Sequence, residues 1–189
     1  MKSRKCCIST VEIVSPSIED MIKHDTDRVK KFVPIFVSTM VQIARQHGCE
    51  MILPSLYCPK FTFPKTSDLA EVDVFTKVLE CFLKQLEIRS IDLTNQEGQE
   101  ISCRIIADYE TLSIAELNDD EDLRPSISSI DRISRRIPPQ ENTIIVGDEF
   151  YKVIESLPVL REQYLLESKG EILRDKIPYA VYQLSRPVT

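Results

Sequence analysis

Apolar positions recur with two different periods along the first fifty residues. Cys6 to Val14 alternates loosely and is rich in β-branched side chains, which predicts a strand ended by Ser15-Pro16-Ser17. From Ile18 to about His47 the apolar positions recur at three- and four-residue steps, which predicts one long helix. Pro34 lies inside this helix, where we expect a kink, and Gly48 follows it as a C-terminal cap.

The middle of the chain predicts short strands around a second helix. In order, the elements are a strand over Glu50 to Leu53, a strand over Lys60 to Phe63, a helix over Leu69 to about Ile88, and strands over Ile101 to Ala107 and Thr111 to Leu117. We expect the last two strands to be joined by a turn at Asp108-Tyr109-Glu110. An acidic loop, Asn118 to Asp122, follows them.

The C-terminal part predicts two short helices and further strands. These are a helix that ends near Ile137 before Pro138-Pro139, a strand over Thr143 to Val146, a helix from Gly147-Asp148 to about Ser156, and a strand pair within Val159 to Leu184, the last strand being Ile177 to Leu184. Hairpins between crossover helices predict an α+β fold, a ferredoxin-like βαβ-βαβ core with extra C-terminal strands. We expect a single domain over residues 1–189, with its core at about 5–184.

Composition narrows the function classes. The 189 residues are 42% hydrophobic and 29% charged, which argues against a disordered chain. A net charge of −6 disfavours a nonspecific nucleic-acid binder, because such proteins meet phosphates with a positive field. No apolar run approaches the roughly 18 to 20 residues that span a bilayer. The basic N-terminus is not followed by the uninterrupted apolar region and small-residue cleavage site of a signal peptide. We therefore expect a cytoplasmic protein with no membrane span.

Residues that commonly carry chemistry are sparse. The six cysteines form no C-x-x-C pair and show no zinc-site spacing, so we expect reduced and mostly buried thiols. With two histidines in the chain, histidine-based catalysis and His-rich metal sites are poorly supported. The four glycines cannot form a glycine-rich phosphate loop of the P-loop or dinucleotide type.

Four segments, taken in order, carry a family resemblance. Val11 to Ser17 reads V-E-I-V-S-P-S, similar to an opening strand and turn usually written V-D-I-V-G-S-T. Arg104 to Tyr109 reads R-I-I-A-D-Y, similar to a central R-I-x-x-D-Y/F-G string. The stretch from Gly48 to Pro64 and the block from Arg132 to Val153 match two further segments. Together they resemble the catalytic domain of class III nucleotidyl cyclases, the adenylate and guanylate cyclases.

The resemblance implies a specific chemistry. In that family two domains pair head to tail, and a nucleoside triphosphate binds at their interface. Two carboxylates hold two divalent metals, Mg²⁺ or Mn²⁺, which activate the ribose hydroxyl and neutralise the triphosphate. A Lys and an Asp recognise the base, an Asn orients the ribose, and an Arg stabilises charge at the attacked phosphorus.

Most of those roles fall on different residue types in this chain. The first metal carboxylate falls on Glu12, which keeps the charge, and the second falls on Tyr57, a poor ligand for a hard cation. The glycine before the second carboxylate becomes Leu56, and the base-recognising lysine becomes Leu53. Loss of a metal ligand together with the base clamp should leave no useful activity.

The remaining positions are mixed. The resemblance places the base-recognising Asp at Glu121, the ribose-orienting Asn at Ser128, the transition-state Arg at Arg132, the central turn glycine at Glu110, and a phosphate-contacting lysine at Lys169 or Arg174. Simpler interpretations are a solvated or salt-bridged strand-end carboxylate for Glu12 and a solvated or interface arginine for Arg132.

Three function classes stay open at this point. The leading hypothesis is a degenerate, non-catalytic cyclase-homology domain that dimerises with itself or with a cyclase-like relative and needs no cofactor. The second is a weakly active nucleotidyl cyclase that makes cyclic AMP from ATP with Mg²⁺ or Mn²⁺. The third is a sensor that binds a nucleotide such as ATP without turnover.

Overall fold

The computed structural model describes residues 3–53, 57–64, 71–92, 98–113 and 129–187. The strands are β1 (Ser3–Ser15), β2 (Met51–Leu53), β3 (Lys60–Pro64), β4 (Ser90–Ile91), β5 (Gln99–Glu100), β6 (Ser102–Ser113), β7 (Thr143–Gly147), β8 (Leu165–Arg174) and β9 (Ile177–Ser185). The helices are α1 (Ile18–His24), α2 (Thr26–Gln46), α3 (Glu71–Glu87), α4 (Ser129–Arg136), α5 (Asp148–Ser156) and α6 (Pro158–Gln163).

Seven strands form one sheet in the order β2-β3-β1-β6-β7-β9-β8. Its first four strands are antiparallel throughout, and α1 and α2 connect β1 to β2 while α3 lies between β3 and β6. This is the strand order and direction of a ferredoxin-like βαβ-βαβ core. β7 adds parallel to β6, and β9 and β8 follow antiparallel. The predicted fold class is confirmed.

The main core lies between this sheet and helices α2 and α3. Both helices are amphipathic, because their apolar residues recur at helical spacing on one face. Phe75 on α3 packs on Phe150 of α5 with ring centroids 4.8 Å apart, and Tyr109 of β6 completes the aromatic group. Burial of these large rings supplies much of the apolar stabilisation.

The opposite face of the sheet carries a smaller apolar cluster. Among the described residues, α4 contributes Ile130 and Ile133 to it, and both are fully buried against β1, β6 and β7. Alternation along β1 explains the two clusters, since Cys7 faces the main core and Ile8 faces α4.

The predicted long helix is wrong in one respect, because Asp25 divides it into α1 and α2. Asp25 adopts an extended backbone, and its N–H donates to Met21 at the end of α1. Its side chain accepts from the N–H of Arg28 at 2.9 Å and so caps α2. Gly48 follows α2 with φ +87°, the left-handed conformation expected of a C-terminal glycine.

The predicted turn at Asp108-Tyr109-Glu110 is also wrong. β6 is one strand of 12 residues, paired with β1 from Ser3 opposite Ser113 to Ser15 opposite Ser102. The acidic residues suggested a turn in the sequence, yet both side chains are buried and accept hydrogen bonds from helix N-termini. The distal part of the second predicted strand, residues 114–117, lies outside the described residues.

Other differences are short elements that the sequence did not predict. The tail begins with helix α6, which the sequence analysis missed, before the predicted strand pair β8 and β9. The two-residue strands β4 and β5 were missed as well. The six cysteines are thiols, and four of them, Cys6, Cys7, Cys81 and Cys103, are buried, as predicted.

Candidate functional site

Glu12, the candidate metal carboxylate, lies on β1 directly opposite Arg104 of β6. Its Oε2 accepts from Arg104 Nε at 2.6 Å, and its Oε1 accepts from the Ser134 hydroxyl at 2.5 Å. The Arg104 side chain is 4% exposed and the Glu12 side chain 16% exposed. Both carboxylate oxygens therefore have partners inside the molecule.

Arg104 extends this contact to the end of helix α4. Its two terminal nitrogens donate to the backbone carbonyls of Ile137 at 2.7 Å and Ser134 at 3.0 Å. Carbonyls at a helix C-terminus lack intrahelical donors and carry partial negative charge, so a guanidinium satisfies them well. We call Glu12, Arg104 and Ser134 the Glu12 clamp, because the three residues join β1, β6 and α4.

The surroundings of the clamp are also internally paired. Lys60 of β3 donates to Asp131 of α4 at 2.7 Å, with side chains 19% and 31% exposed. The Thr10 hydroxyl donates to the Pro59 carbonyl at 3.2 Å.

Burial, and then the charge of Glu12, raise the pKa of the nearby Cys58 thiol to about 11. This thiol is therefore protonated and poorly nucleophilic at neutral pH.

Tyr57, on which the resemblance places the second metal carboxylate, lies in the connection between β2 and β3. Its half-buried side chain packs against the main core. Leu53 ends β2 opposite Lys60, and Leu56 lies outside the described residues. The base-recognition role at Leu53 stays a prediction.

Arg132 lies on α4 and contacts the turn between β8 and β9. It donates to Asp175 Oδ1 at 2.9 Å and to the Leu173 carbonyl at 3.3 Å. Asp175 and Lys176 have φ of 52° and 67°, as the two central residues of a tight hairpin turn require. In this structure Arg132 stabilises a hairpin turn, and a phosphate-contacting role remains a prediction.

Of the other candidate residues, the structure describes Lys169 and Arg174. Glu121 and Ser128 lie outside the described residues. Lys169 pairs with Glu167 at 3.1 Å, and the Arg174 guanidinium lies 5.1 Å from the centre of the Tyr179 ring. These contacts distinguish neither of the two residues as a phosphate ligand.

Glu110 has a structural role that the sequence analysis missed. Its Oε1 accepts from the backbone N–H of Ser129 at 2.6 Å and from the Ser129 hydroxyl at 2.5 Å. Glu110 is 8% exposed and lies at the beginning of α4. It therefore caps α4 from a neighbouring strand, where an anion is stabilised by the unpaired N–H groups of the helix.

Asp108 serves α5 in the same way, two residues earlier on β6. Its Oδ1 accepts from the Phe150 N–H at 3.1 Å, and its Oδ2 accepts from the Tyr179 hydroxyl at 2.5 Å. The signal that could have identified these residues is the alternation of β6, where Arg104, Asp108 and Glu110 share one face. Charged residues at that period inside an apolar strand indicate buried partners.

The described residues do not fit the two-metal arrangement that the resemblance implies. Both oxygens of Glu12 are engaged by the clamp, and the phenol of Tyr57 supplies no carboxylate. Within the part of the chain that the structure describes, no group of three or more His, Cys, Asp or Glu side chains could hold a metal ion. Hard divalent cations require several oxygen ligands, which this donor set does not provide.

Solved structures of cyclase domains share this architecture, although no family model and no curated protein matches the sequence. The guanylate cyclase domain of RhGC from Catenaria anguillulae, in complex with GTP, aligns with TM-score 0.66 at 12% identity, over 98% of this chain and 99% of that one. The adenylyl cyclase CyaB from P. aeruginosa aligns with TM-score 0.57 at 16% identity, over 99% and 96%. A non-canonical dimeric guanylyl cyclase domain of the RhoGC fusion protein from Blastocladiella emersonii aligns with TM-score 0.63 at 10% identity, over 98% and 99%.

Among the described helices, none combines the length and apolarity that a membrane crossing requires. The strand order, the crossover helices and the near-complete coverage of both chains agree with one architecture. The chain has the fold of the class III adenylate and guanylate cyclase catalytic domains.

Proposed function

We propose that this chain is a degenerate cyclase-fold domain that does not catalyse and acts by associating with a second cyclase-fold domain in cytoplasmic cyclic-nucleotide-type signalling. The observation that carries the proposal is the Glu12 clamp. The acid at the first metal position is bound by Arg104 and Ser134, so its charge stabilises the fold.

Metal binding at Glu12 would require the clamp to open. A cation that took the Glu12 oxygens would leave the guanidinium of Arg104, 4% exposed, without its counter-charge. An uncompensated buried charge costs about 3–5 kcal/mol. This penalty, added to the loss of a second carboxylate at Tyr57, opposes the two-metal chemistry of an active cyclase.

Association is supported by the end of the β8–β9 hairpin. Leu173 and Ile177, on either side of its turn, are each 66% exposed, although both are large and apolar. Arg132 holds the turn by contacts with Asp175 and the Leu173 carbonyl, so the apolar side chains are presented on a fixed support. Such a surface favours contact with another protein.

We take a second copy of this chain as the first partner to test. The similar domain from Blastocladiella emersonii has one structure as a non-canonical dimer and others as a monomer, so domains of this fold can pair without being obligate dimers. A heterodimer with another cyclase-like domain is the alternative assembly. Nucleic acid is not an expected partner, since the net charge is −6.

A cyclic-nucleotide assay tests the absence of catalysis. The purified protein is incubated with ATP or GTP and Mn²⁺, and the variants Glu12→Gln and Leu53→Lys with Tyr57→Asp are assayed beside it. We expect no cyclic AMP or cyclic GMP from the parent protein. Mn²⁺-dependent product that disappears in Glu12→Gln would overturn the proposal and establish a weak cyclase.

A binding measurement distinguishes a domain that binds no nucleotide from a nucleotide sensor. Thermal unfolding with and without ATP or GTP should give the same midpoint if no nucleotide binds the folded form. Stabilisation by a nucleotide without product would overturn the proposal in favour of a sensor.

Sedimentation velocity tests the association surface. We expect a dimer for the parent protein and a monomer for the double variant Leu173→Lys with Ile177→Lys. The matched control is Val159→Lys on α6, which removes an apolar side chain that is 53% exposed outside the hairpin and should leave the dimer intact. A parent protein that stays monomeric at high concentration would contradict self-association.

A further inference from the structure

Asp108 is a fully buried carboxyl group at the junction of several elements. It lies on β6 with 0% exposure and contacts the beginning of α5 and the strand β9. Its Oδ1 accepts from the N–H groups of Tyr109 at 2.8 Å and Phe150 at 3.1 Å. Its Oδ2 accepts from the Tyr179 hydroxyl at 2.5 Å. A charge here is held by directional donors from the protein.

The phenol of Tyr179 connects Asp108 to the hairpin. Besides donating to Asp108, its oxygen accepts from the N–H of Glu149 at 3.1 Å in the first turn of α5. The backbone of Gly147 lies so close to Asp108 that a side chain is excluded at this position, because an added Cβ would lie 2.2 Å from Asp108 Oδ2. The Asp108–Tyr179 pair therefore joins β6, α5 and β9 at one point.

No cation balances Asp108 directly among the hydrogen bonds of the described residues. The titratable groups near it are Cys7 on β1, Glu110 two residues further along β6, and Tyr179 on β9. Cys7 lies on the main-core face of β1 and is coupled to Asp108 only electrostatically, and α4 presents the neutral Ser129 hydroxyl. The positive charges nearby belong to other contacts: Arg174 of β8 lies over the Tyr179 ring, and Lys5 of β1 pairs with Glu149 of α5. Burial is therefore the dominant influence on the Asp108 carboxyl.

We propose that Asp108 and Tyr179 form a proton-dependent latch that holds the β8–β9 hairpin and the beginning of α5 on β6, and that the latch is tighter in acid than at neutral pH. The latch depends on the fold alone and is independent of the proposed function.

The proton changes the direction of one hydrogen bond. In the ionised state the Tyr179 hydroxyl donates to Asp108. When Asp108 binds a proton at Oδ2, its O–H donates to the Tyr179 oxygen, which also accepts from Glu149 N–H, and the phenolic hydrogen turns away. The neutral acid removes the cost of a buried charge and keeps the contact between β6 and β9.

The direction of the pH dependence follows from the pKa of Asp108 in the closed state and in the opened state. Burial raises the pKa of Asp108 to about 6, although its hydrogen bonds oppose that rise. When the hairpin opens and water reaches the carboxyl, its pKa returns to about 3.9. The closed state therefore binds the proton more tightly, and opening becomes easier as pH rises through this interval. Between about pH 5 and pH 7.5 the opening equilibrium should increase about tenfold.

Amide hydrogen exchange of β9 measures this opening. Protection factors of Tyr179 and Val181, corrected for the intrinsic pH dependence of exchange, should fall about tenfold from about pH 5 to pH 7.5. The variant Asp108→Asn, which does not titrate, should lose this pH dependence. The matched control Glu171→Gln changes an exposed carboxylate of the same hairpin and should keep it. Equal protection of the parent protein at both pH values, or an unchanged pH dependence in Asp108→Asn, would overturn the latch.

A second measurement uses the unmodified protein, in case Asp108→Asn does not fold. The carboxyl ¹³C chemical shift of Asp108, followed by NMR against pH, should titrate with a midpoint near 6. A midpoint at or below about 4, the value of an exposed carboxyl, would contradict the proposal.

Discussion

One face of the seven-stranded sheet is covered by α2 and α3, while α4 packs on the other among the described residues. The first face is aromatic and aliphatic, with Phe32, Phe36 and Phe82 fully buried. The second face buries charged groups beside a few isoleucines, and each charge has a named partner. One side of the sheet therefore depends on filled volume, and the other on directed hydrogen bonds and ion pairs.

The two faces should respond differently to substitution. On the first face, stabilisation scales with buried apolar area, so a residue of similar size and polarity can replace another. On the second face, removing one partner leaves a buried polar group unpaired, and the cost is then the desolvation of the group that remains.

The largest effect is expected for Glu12→Leu, which leaves Arg104 on the second face without its counter-charge. We expect the free energy of unfolding to fall by about 3–5 kcal/mol, measured by urea denaturation. The double variant Glu12→Leu with Arg104→Leu should recover much of this loss, because the clamp then holds no buried charge without a counter-charge. A loss below about 1 kcal/mol for Glu12→Leu would mean that the clamp behaves as a surface ion pair.

The next effect is expected for Gly147→Ala, at the contact between β7 and Asp108. The added Cβ would lie within 2.2 Å of Asp108 Oδ2, so the α5 cap must shift. We expect a loss of about 1–3 kcal/mol, again from urea denaturation. The matched control Gly98→Ala adds a Cβ with no heavy atom nearer than 3.3 Å and should cost less.

A smaller effect is expected for Met40→Leu, the corresponding test on the first face. Met40 is fully buried on α2, and its side chain is replaced by one of similar volume. We expect a loss under about 1.5 kcal/mol. If Met40→Leu cost as much as Glu12→Leu, the contrast between the two faces would be wrong.

The smallest effect is expected for Lys5→Ala, which removes a partly exposed ion pair with Glu149. The hydrogen bond from Lys5, followed by that from Lys152, lowers the pKa of Glu149 to about 2. A depressed pKa means that this stabilisation is present above about pH 4.5 and is lost as pH falls towards 2, the opposite direction to Asp108. At neutral pH Lys5→Ala should cost less than about 1 kcal/mol, and added salt should reduce the difference between variant and parent.

Sequence periodicity predicted most of the architecture but not its polar contacts. The amphipathic patterns of α2 and α3 and the strand β9 were predicted because apolar periodicity is a local property of the chain. Asp108 and Glu110 were misinterpreted as turn residues, since acidic residues favour turns when no helix terminus is near. Their actual donors, Phe150 and Ser129, are 42 and 19 residues away in sequence.

In the candidate site, too, residue identities can be read from the sequence, whereas the polar contacts depend on the fold. The placement of Tyr57 and Leu53 at two family positions is a prediction from the sequence, because it depends only on residue identity at a given spacing. The engagement of Glu12 was not, since a strand-end carboxylate can bind a metal, face water or pair with an arginine. Only the register of β1 against β6, with Ser134 of α4 above them, decides among these possibilities.

The α+β fold class and the two amphipathic helices were predictable from the sequence, and the departure from the residues of an active cyclase is a prediction from the family resemblance. The tertiary structure alone decided that Glu12 is held by Arg104 and that Asp108 meets Tyr179. The physical reason is that secondary structure follows from local spacing, whereas the state of a buried charge depends on partners 92 and 71 residues away, which only the folded chain brings within hydrogen-bond distance.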